Sequence, residues 1–309
     1  MAIIQRLDRL QRRRPALGFA YAVIRKYADD DGGREAALIT YYGFLSVFPM
    51  LLLAQTIVTR ALPHHPELRQ RVVAAMVPPS LQATVESALS ALPTARTALA
   101  VGLAGLVLSG TGVVRAAART MNHLAAVPHR LRAPWRPGRV LAALVLVLAG
   151  AAVIGCLVVA AAAHPGLPRL SRLLAVAGEF AVAFVVLLLV ARLLVQCPAP
   201  VRMLWPAAAP GAVAVTVTLE LGAEILPGLV RRAGPVYGAF ATVAGMFALL
   251  YLLSLALVVA AEIAAVRGAR LWPRAVDRAR PTAADAHALA LLAREQERFP
   301  GQRIESWLP

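Results

Sequence analysis

In the stretch Thr216-Val-Thr-Leu-Glu220-Leu-Gly-Ala-Glu224, a hydroxyl and two carboxylates recur at every fourth residue. On a helix that spacing places all three on one face. The run around them is apolar, and an acid that lies inside a bilayer is costly enough to mark a functional position. Such a row could bind a cation, a proton or a lipid headgroup. It could equally be structural, with Glu224 reaching the interface and Glu220 paired to a neighbouring span, to Arg231 or to Arg232. Glu179, Arg192 and Glu262 also fall in apolar runs. Arg192 and Glu262 sit close to span ends, where a long side chain can snorkel outward, and Glu179 lies near the start of its span.

No arrangement for bond-making chemistry accompanies these acids. His64 and His65 are adjacent between Pro63 and Pro66, while His123, His129, His164 and His287 are scattered. None forms the i, i+4 pair with a carboxylate that metal-assisted hydrolysis uses. There is no Ser or Cys nucleophile motif, and no Walker-type glycine-rich lysine loop for ATP. The two cysteines, Cys156 in an apolar run and Cys197 at the end of another, exclude a disulfide framework. The expectation is no enzyme, no catalytic residue, no metal and no cofactor.

The elements that must position the acids follow from composition. Of 309 residues, 59% are hydrophobic and 16% charged, with a mean hydropathy of +0.67. Soluble domains carry about a quarter charged residues, whereas about 20 apolar residues in a row cross a bilayer. The pattern predicts an all-α polytopic membrane protein with six spans, at 36–59, 97–114, 140–163, 174–196, 206–226 and 236–266. The helix of the second span is expected to continue past the membrane through Val114, Ala117, Met121 and Leu124. A basic segment, 1–35, precedes the spans. In it Ile3, Ile4, Leu7 and Leu10 face away from Arg6, Arg9 and Arg13, as on a helix lying on an anionic surface. An external loop, 60–96, is cut by prolines into two amphipathic pieces. An Arg- and Ala-rich tail, 267–309, contains a helix from about Thr282 to Arg298.

Six spans place both termini on one side. Of the 32 basic residues, 24 fall on that side and 8 on the other, and the rule that positive loops stay cytoplasmic puts the termini inside. All but one of the basic residues are Arg, Lys26 being the exception. Topology and anionic lipid at the cytoplasmic face account for the net charge of +16, so no nucleic-acid partner is expected. Membrane lipids are the expected partners, with a homo-oligomer or envelope-assembly proteins left open.

Two spans carry small and polar residues at helical spacing. In the first, Thr40, Gly43 and Ser46 line a face and Pro49 kinks the helix. In the sixth, Gly238, Thr242 and Gly245 permit close approach of a neighbour.

Three segments together resemble the YihY/BrkB family of bacterial inner-membrane proteins, once mislabelled ribonuclease BN. They are Ala37-Leu-Ile-Thr-Tyr41-Tyr42 with Leu45-Ser-Val-Phe-Pro-Met50, the run Leu106–Val127 containing Arg115 and Asn122, and Tyr237-Gly238 leading to Ala260-Ala-Glu262-Ile. The resemblance covers roughly residues 25–268. Two departures are Ala260 in place of a family glycine, and Ser109-Gly-Thr-Gly112 where many members have an aromatic residue before the arginine. It implies six spans with both termini inside, and its links to envelope integrity and lipid export make transport plausible.

Two functions fit these residues: a transporter or flippase-like protein for a lipid or amphiphilic solute, and a scaffold for envelope assembly. Transport predicts that neutralising Glu220 and Glu224 abolishes function. The scaffold predicts that removing the tails does.

Overall fold

A computed structural model describes residues 8, 11, 14–61, 95–132, 137–163, 169–196, 201–277 and 279–307. The expected face of Ile3 to Leu10 falls outside these residues except for position 8, as do the two amphipathic pieces of the 60–96 loop. Within the described residues the chain is all helical. In order it forms α1 (Pro15–Asp29), α2 (Gly32–Ala61), α3 (Ala95–Leu124), a 3₁₀ turn (His129–Leu131), α4 (Pro137–Ala163), α5 (Arg169–Leu194), α6 (Val201–Ala269) and α7 (Ala283–Glu295).

Among the described residues six stretches are long and apolar enough to cross a membrane: Gly32–Ala54, Leu99–Leu124, Pro137–Gly155, Leu170–Leu194, Leu204–Ile225 and Phe240–Ala269. The second reaches Leu124, so the expected continuation past Val114 is part of the same helix. Helix α1 and the segment that follows α6 meet on one side of the bundle, which we call the terminal face. Large apolar side chains such as Leu108, Leu170, Leu173 and Phe240 stand exposed on the outside of the bundle, as a lipid-facing perimeter requires.

The fifth and sixth stretches share one continuous helical backbone of 69 residues. It cannot be a straight rod, because a Cβ at Gly211 would lie 2.7 Å from that of Ala260, and one at Gly222 would lie 2.8 Å from Leu249. Both pairs are symmetric about the Pro235–Val236 bond. The element is therefore a hairpin of two antiparallel limbs, turning where the sequence reads Gly234-Pro235. The side chains of Tyr237 and Gly238 lie outside the described residues.

Small residues set the packing, but not all on the expected helix. At Gly43 a Cβ would meet nothing within 4 Å, which corrects its reading as a packing residue. The close approach of α2 to α3 comes from glycines of α3. A Cβ at Gly102 would press on Leu53 (2.9 Å), at Gly105 on Pro49 (3.1 Å) and at Gly112 on the Tyr42 ring (2.6 Å). Gly110 does the same for Leu144 of α4. The Ser109-Gly-Thr-Gly112 departure is thus a contact surface, and Pro49 sits in its seam. Thr40, fully buried, donates to Ala36 O (2.8 Å) and its Oγ lies 3.0 Å from Ser254 Oγ, joining α2 to the second limb of α6. Ser46 donates back to Tyr42 O (3.0 Å). Tyr41 is exposed and meets Tyr42 edge-on. Thr242 is fully buried and Gly245 half-buried.

Helices α3 and α6 close at the terminal face by the same device. Ala126 (φ 49°) and Arg270 (φ 52°) take left-handed conformations. The next amide then reaches back, Val127 to Asn122 O (2.9 Å) and Leu271 to Val266 O (3.0 Å), satisfying carbonyls the helix end leaves open. Asn122, 1% exposed, clamps a third end by donating to Leu194 O (2.8 Å) and accepting from the Gln196 amide (2.9 Å).

The hairpin gives a direct test. In a Cys156→Ser/Cys197→Ser background, Gly211→Cys/Ala260→Cys is expected to form a disulfide under mild oxidant, its Cβ atoms needing only slight separation to reach about 3.8 Å. A straight rod would hold the two positions about 70 Å apart. Proteolysis between the limbs followed by non-reducing electrophoresis reads the result, and two separating fragments would refute the hairpin.

Candidate functional site: a buried ion cluster beside an apolar cavity

Three charges that water barely reaches meet at the terminal end of the bundle. Lys26 of α1 is 8% exposed, Asp30 3% and Glu262 of α6 fully buried. The Lys26 ammonium donates to the Asp30 carboxylate and to Leu124 O (2.9 Å), the last carbonyl of α3. It also lies 3.0 Å from Glu262 Oε2, but off hydrogen-bond geometry, so neither Glu262 oxygen has a hydrogen-bond partner. Burial pushes the Asp30 carboxyl above the usual carboxylate range, with Lys26 opposing. A lysine suits this position: its compact ammonium can face three acceptors in different directions, where a planar guanidinium would fix a fork. Position 26 holds the chain's single lysine.

The tail is bound to this end by a second set of charges. Arg274, 5% exposed, reaches Asp29 of α1 (2.8 Å) with Nη2 and Asp285 (2.6 Å) with Nε. Asp285 also closes the capping box of α7 with Thr282. Burial works against its charge, but hydrogen bonds from Thr282, Arg274 and the Ala275 amide hold its carboxyl below the usual range. At the far end of α7, Glu295 accepts from His123 Nδ1 (2.8 Å) and from Arg132 (2.6 Å). Against the cost of burial, those two partners hold it below the ordinary carboxylate value. Arg130 adds a bond to Glu297 (2.8 Å). Trp272 meets the Phe19 ring of α1 edge-on at 5.3 Å.

Beside these charges lies a cavity of about 370 Å³. Alanines of both α6 limbs, among them Ala208, Ala261 and Ala264, form its wall, with Leu187 of α5 at membrane depth and Leu291 of α7 at the tail. Leu187 lies seven residues before the end of α5, about 10 Å into the bundle. Lys26, Asp30 and Arg274 line the same cavity. It therefore runs from an apolar, membrane-level region to a charged rim, within the size range of small-molecule sites.

The expected polar row lies at the other end. Arg172 of α5 reaches Glu224 (3.2 Å) and, more loosely, Glu220 (3.7 Å). So Glu220 does pair with a neighbouring helix, through Arg172; the side chain of Arg231 lies outside the described residues. Glu224 is 64% exposed at its side chain and Glu220 36%. Thr216 is buried and its hydroxyl has no hydrogen-bond partner; neither has Oε2 of Glu179, which is 2% exposed and close enough to Glu220 to feel its charge. Arg192 is exposed, consistent with snorkelling. Sequence reasoning read Glu262 as a family-motif residue at a span end, and missed that Lys26, Asp30 and Arg274 converge near it. The single lysine was the available signal. Among the described residues no three His, Cys, Asp or Glu side chains come together as a metal site.

The fold and this end of the bundle define a multi-span membrane protein with a cavity at one face. Residues 23–285 match the family described as virulence factor BrkB, and the chain belongs to that family. The match begins three residues before Lys26 and ends at Asp285, so it takes in the ion cluster and Arg274. The family is not a known class of enzyme. No curated protein and no solved structure matches the chain significantly.

Removing the cation while leaving its acids is expected to be severe. Lys26→Met should destabilise the protein by about 3–5 kcal/mol, because breaking a buried pair strands a charge. Adding Glu262→Gln to it should recover part of that loss. Thermal unfolding in detergent measures both, and a double variant no better than Lys26→Met would deny the coupling. The Glu295 pair has a defined pH sense. Its carboxylate is held low, so its contribution is present above the ordinary Glu value of 4.5 and lost as pH falls below it. Amide exchange in α7, corrected for intrinsic rate, should rise below that pH and rise already at neutral pH in Glu295→Gln.

Proposed function

We propose that this protein is a transporter or flippase-like carrier of a lipid or amphiphilic solute in the bacterial cytoplasmic membrane, serving the cell envelope. The observation that carries the reading is the cavity, apolar where it faces the membrane interior and charged at its rim. That gradient matches a molecule with a hydrocarbon part and a polar head. The second support is the row at the opposite end, where Arg172, Glu220, Glu224, Glu179 and Thr216 put polar groups between α5 and α6. Lipid cannot solvate such groups, so they face helices or a wet path. Placing the terminal face in the cytoplasm follows the excess of basic residues there, which also favours anionic lipid as its neighbour.

A scaffold for envelope assembly is the second reading, favoured by the tail held on the terminal face through Arg274 and Glu295. Proteoliposomes separate the two. A fluorescent lipid is bleached from outside, and the wild type is compared with Glu220→Gln/Glu224→Gln, with Ala264→Leu, which fills the cavity, and with empty vesicles. Transport predicts faster inner-leaflet bleaching in the wild type, slowed about tenfold or more in Ala264→Leu, since each tenfold is only 1.4 kcal/mol. Bleaching equal to that of empty vesicles, across anionic and zwitterionic lipids, would leave the scaffold.

A further inference from the structure

Among the described residues that line the cavity, one buried polar side-chain atom lacks a hydrogen-bond partner: Nη1 of Arg274. The rest of that guanidinium is engaged, Nη2 by Asp29 and Nε by Asp285. The two acids hold the group in one orientation, leaving a fixed donor that lacks an acceptor. An unmet charged donor in a buried site is costly, and its natural complement is an oxygen anion.

The other charges of the rim narrow the choice of headgroup. Asp30 is bound by Lys26, and Asp29 lies between Arg274 and Arg25, whose Nε is 3.4 Å away. Each carboxylate lining the cavity is therefore already ion-paired, and none is left for the ammonium of a choline or ethanolamine head. Below the rim the wall is mostly alanine and leucine, drawn from α3, α5, both limbs of α6 and α7, and the one histidine on it, His123, is held by Glu295. Such a wall suits hydrocarbon, and at about 370 Å³ the space is at the small end for a ligand site. One chain is a better fit than two.

We propose that the cavity binds a single-chain amphiphile with an anionic oxygen headgroup, a carboxylate or a phosphate, received by Nη1 of Arg274 while its chain lies along the alanine wall. The proposal rests on the reading of the protein as an amphiphile carrier and names the class of molecule it carries. Arg274 is then a binding residue, and its ion pairs with Asp29 and Asp285 orient it. Because α7 contributes Leu291 to the wall and Asp285 to the guanidinium, the tail is part of the site.

Equilibrium binding to the full chain, purified in an uncharged maltoside detergent, tests this. The probe is tritiated palmitate, with competition by lysophosphatidylglycerol, lysophosphatidylcholine and hexadecyltrimethylammonium. Saturable binding near one per chain is expected, displaced by the anionic lysolipid and not by the zwitterionic or cationic amphiphile. Whichever of palmitate and lysophosphatidylglycerol binds more tightly identifies the source of the headgroup. Arg274→Gln should weaken binding about tenfold or more, the range of a lost bond to a charged group. Ala264→Leu leaves every ion pair of Arg274 in place and should weaken it by obstructing the chain, which covers the case where Arg274→Gln releases the tail. No saturable binding, equal competition by all three heads, or binding unchanged in either variant would overturn the proposal. Binding with this selectivity but no lipid movement in proteoliposomes would sink the carrier reading and leave the site standing. Movement without this binding would do the reverse.

Discussion

One ammonium group has to satisfy two carboxylates and a helix end in a place water barely reaches. A buried charge costs several kcal/mol unless it is paired, so the Lys26 cluster imposes conditions on everything around it. Helix α1 must lie across the terminal end of the bundle to bring Lys26 inward. Helix α3 must end at Leu124, because the carbonyl Lys26 takes is one that a longer helix would have used. The second limb of α6 must run on to carry Glu262 to the same level. The left-handed residues Ala126 and Arg270 then turn the chain sharply away. They are not glycines, and the backbone cost they carry is about 1 kcal/mol each, small beside that of a stranded ion.

Inside a bilayer there is no hydrophobic drive between helices, so close packing and polar bonds hold them together. The bundle uses each in a different place. Along α2 and α3 the glycines at 102, 105 and 112 receive Leu53, Pro49 and Tyr42, and the two backbones come close. Between the limbs of α6 the contact is alanine against glycine at one level, Ala260 on Gly211. Toward the terminal end alanines of both limbs line the cavity, and volume is left over. The cavity is thus a product of composition: the small residues that allow close approach elsewhere leave room between α5, the limbs of α6 and α7.

How much of this was legible follows from what kind of signal each feature leaves. Spans are written in long apolar runs, so their number and approximate limits could be read directly. The two limbs of α6 were legible as two separate apolar runs, 206–226 and 236–266. Packing partners were not: Thr40 and Gly43 look alike as small residues on one helix, yet Thr40 reaches Ser254 while Gly43 faces open space. A period fixes the face of a helix but not which neighbour covers it. The acids in α6 were visible because charge is rare in a span, but rarity did not rank them. The row at Glu220 and Glu224 has regular spacing and is substantially exposed, whereas Glu262 stands alone in its span and is fully buried. Lys26 and Arg274 are 248 positions apart in the sequence, so no local pattern could have paired their surroundings. A single lysine among 31 arginines was the one clue, and its meaning is geometric: it needs three acceptors in three directions.

The structure also changes what an experiment on the tail can decide. From sequence, the tail is an appendage, and its removal distinguishes a scaffold from a transporter. In the fold, Arg274 and Asp285 join α1 to α7, Glu295 holds α7 against α3 through His123, and Leu291 closes part of the cavity. Deleting residues 267–309 would therefore open the cavity and take from Asp29 its nearer partner, Arg274, at once. Loss of function on truncation is the expected result for a carrier as much as for a scaffold. The discriminating changes are those that keep the tail bound and alter the space beneath it. A substitution such as Ala264→Leu removes volume without touching a charge, and a scaffold that works through its surface has no reason to notice it.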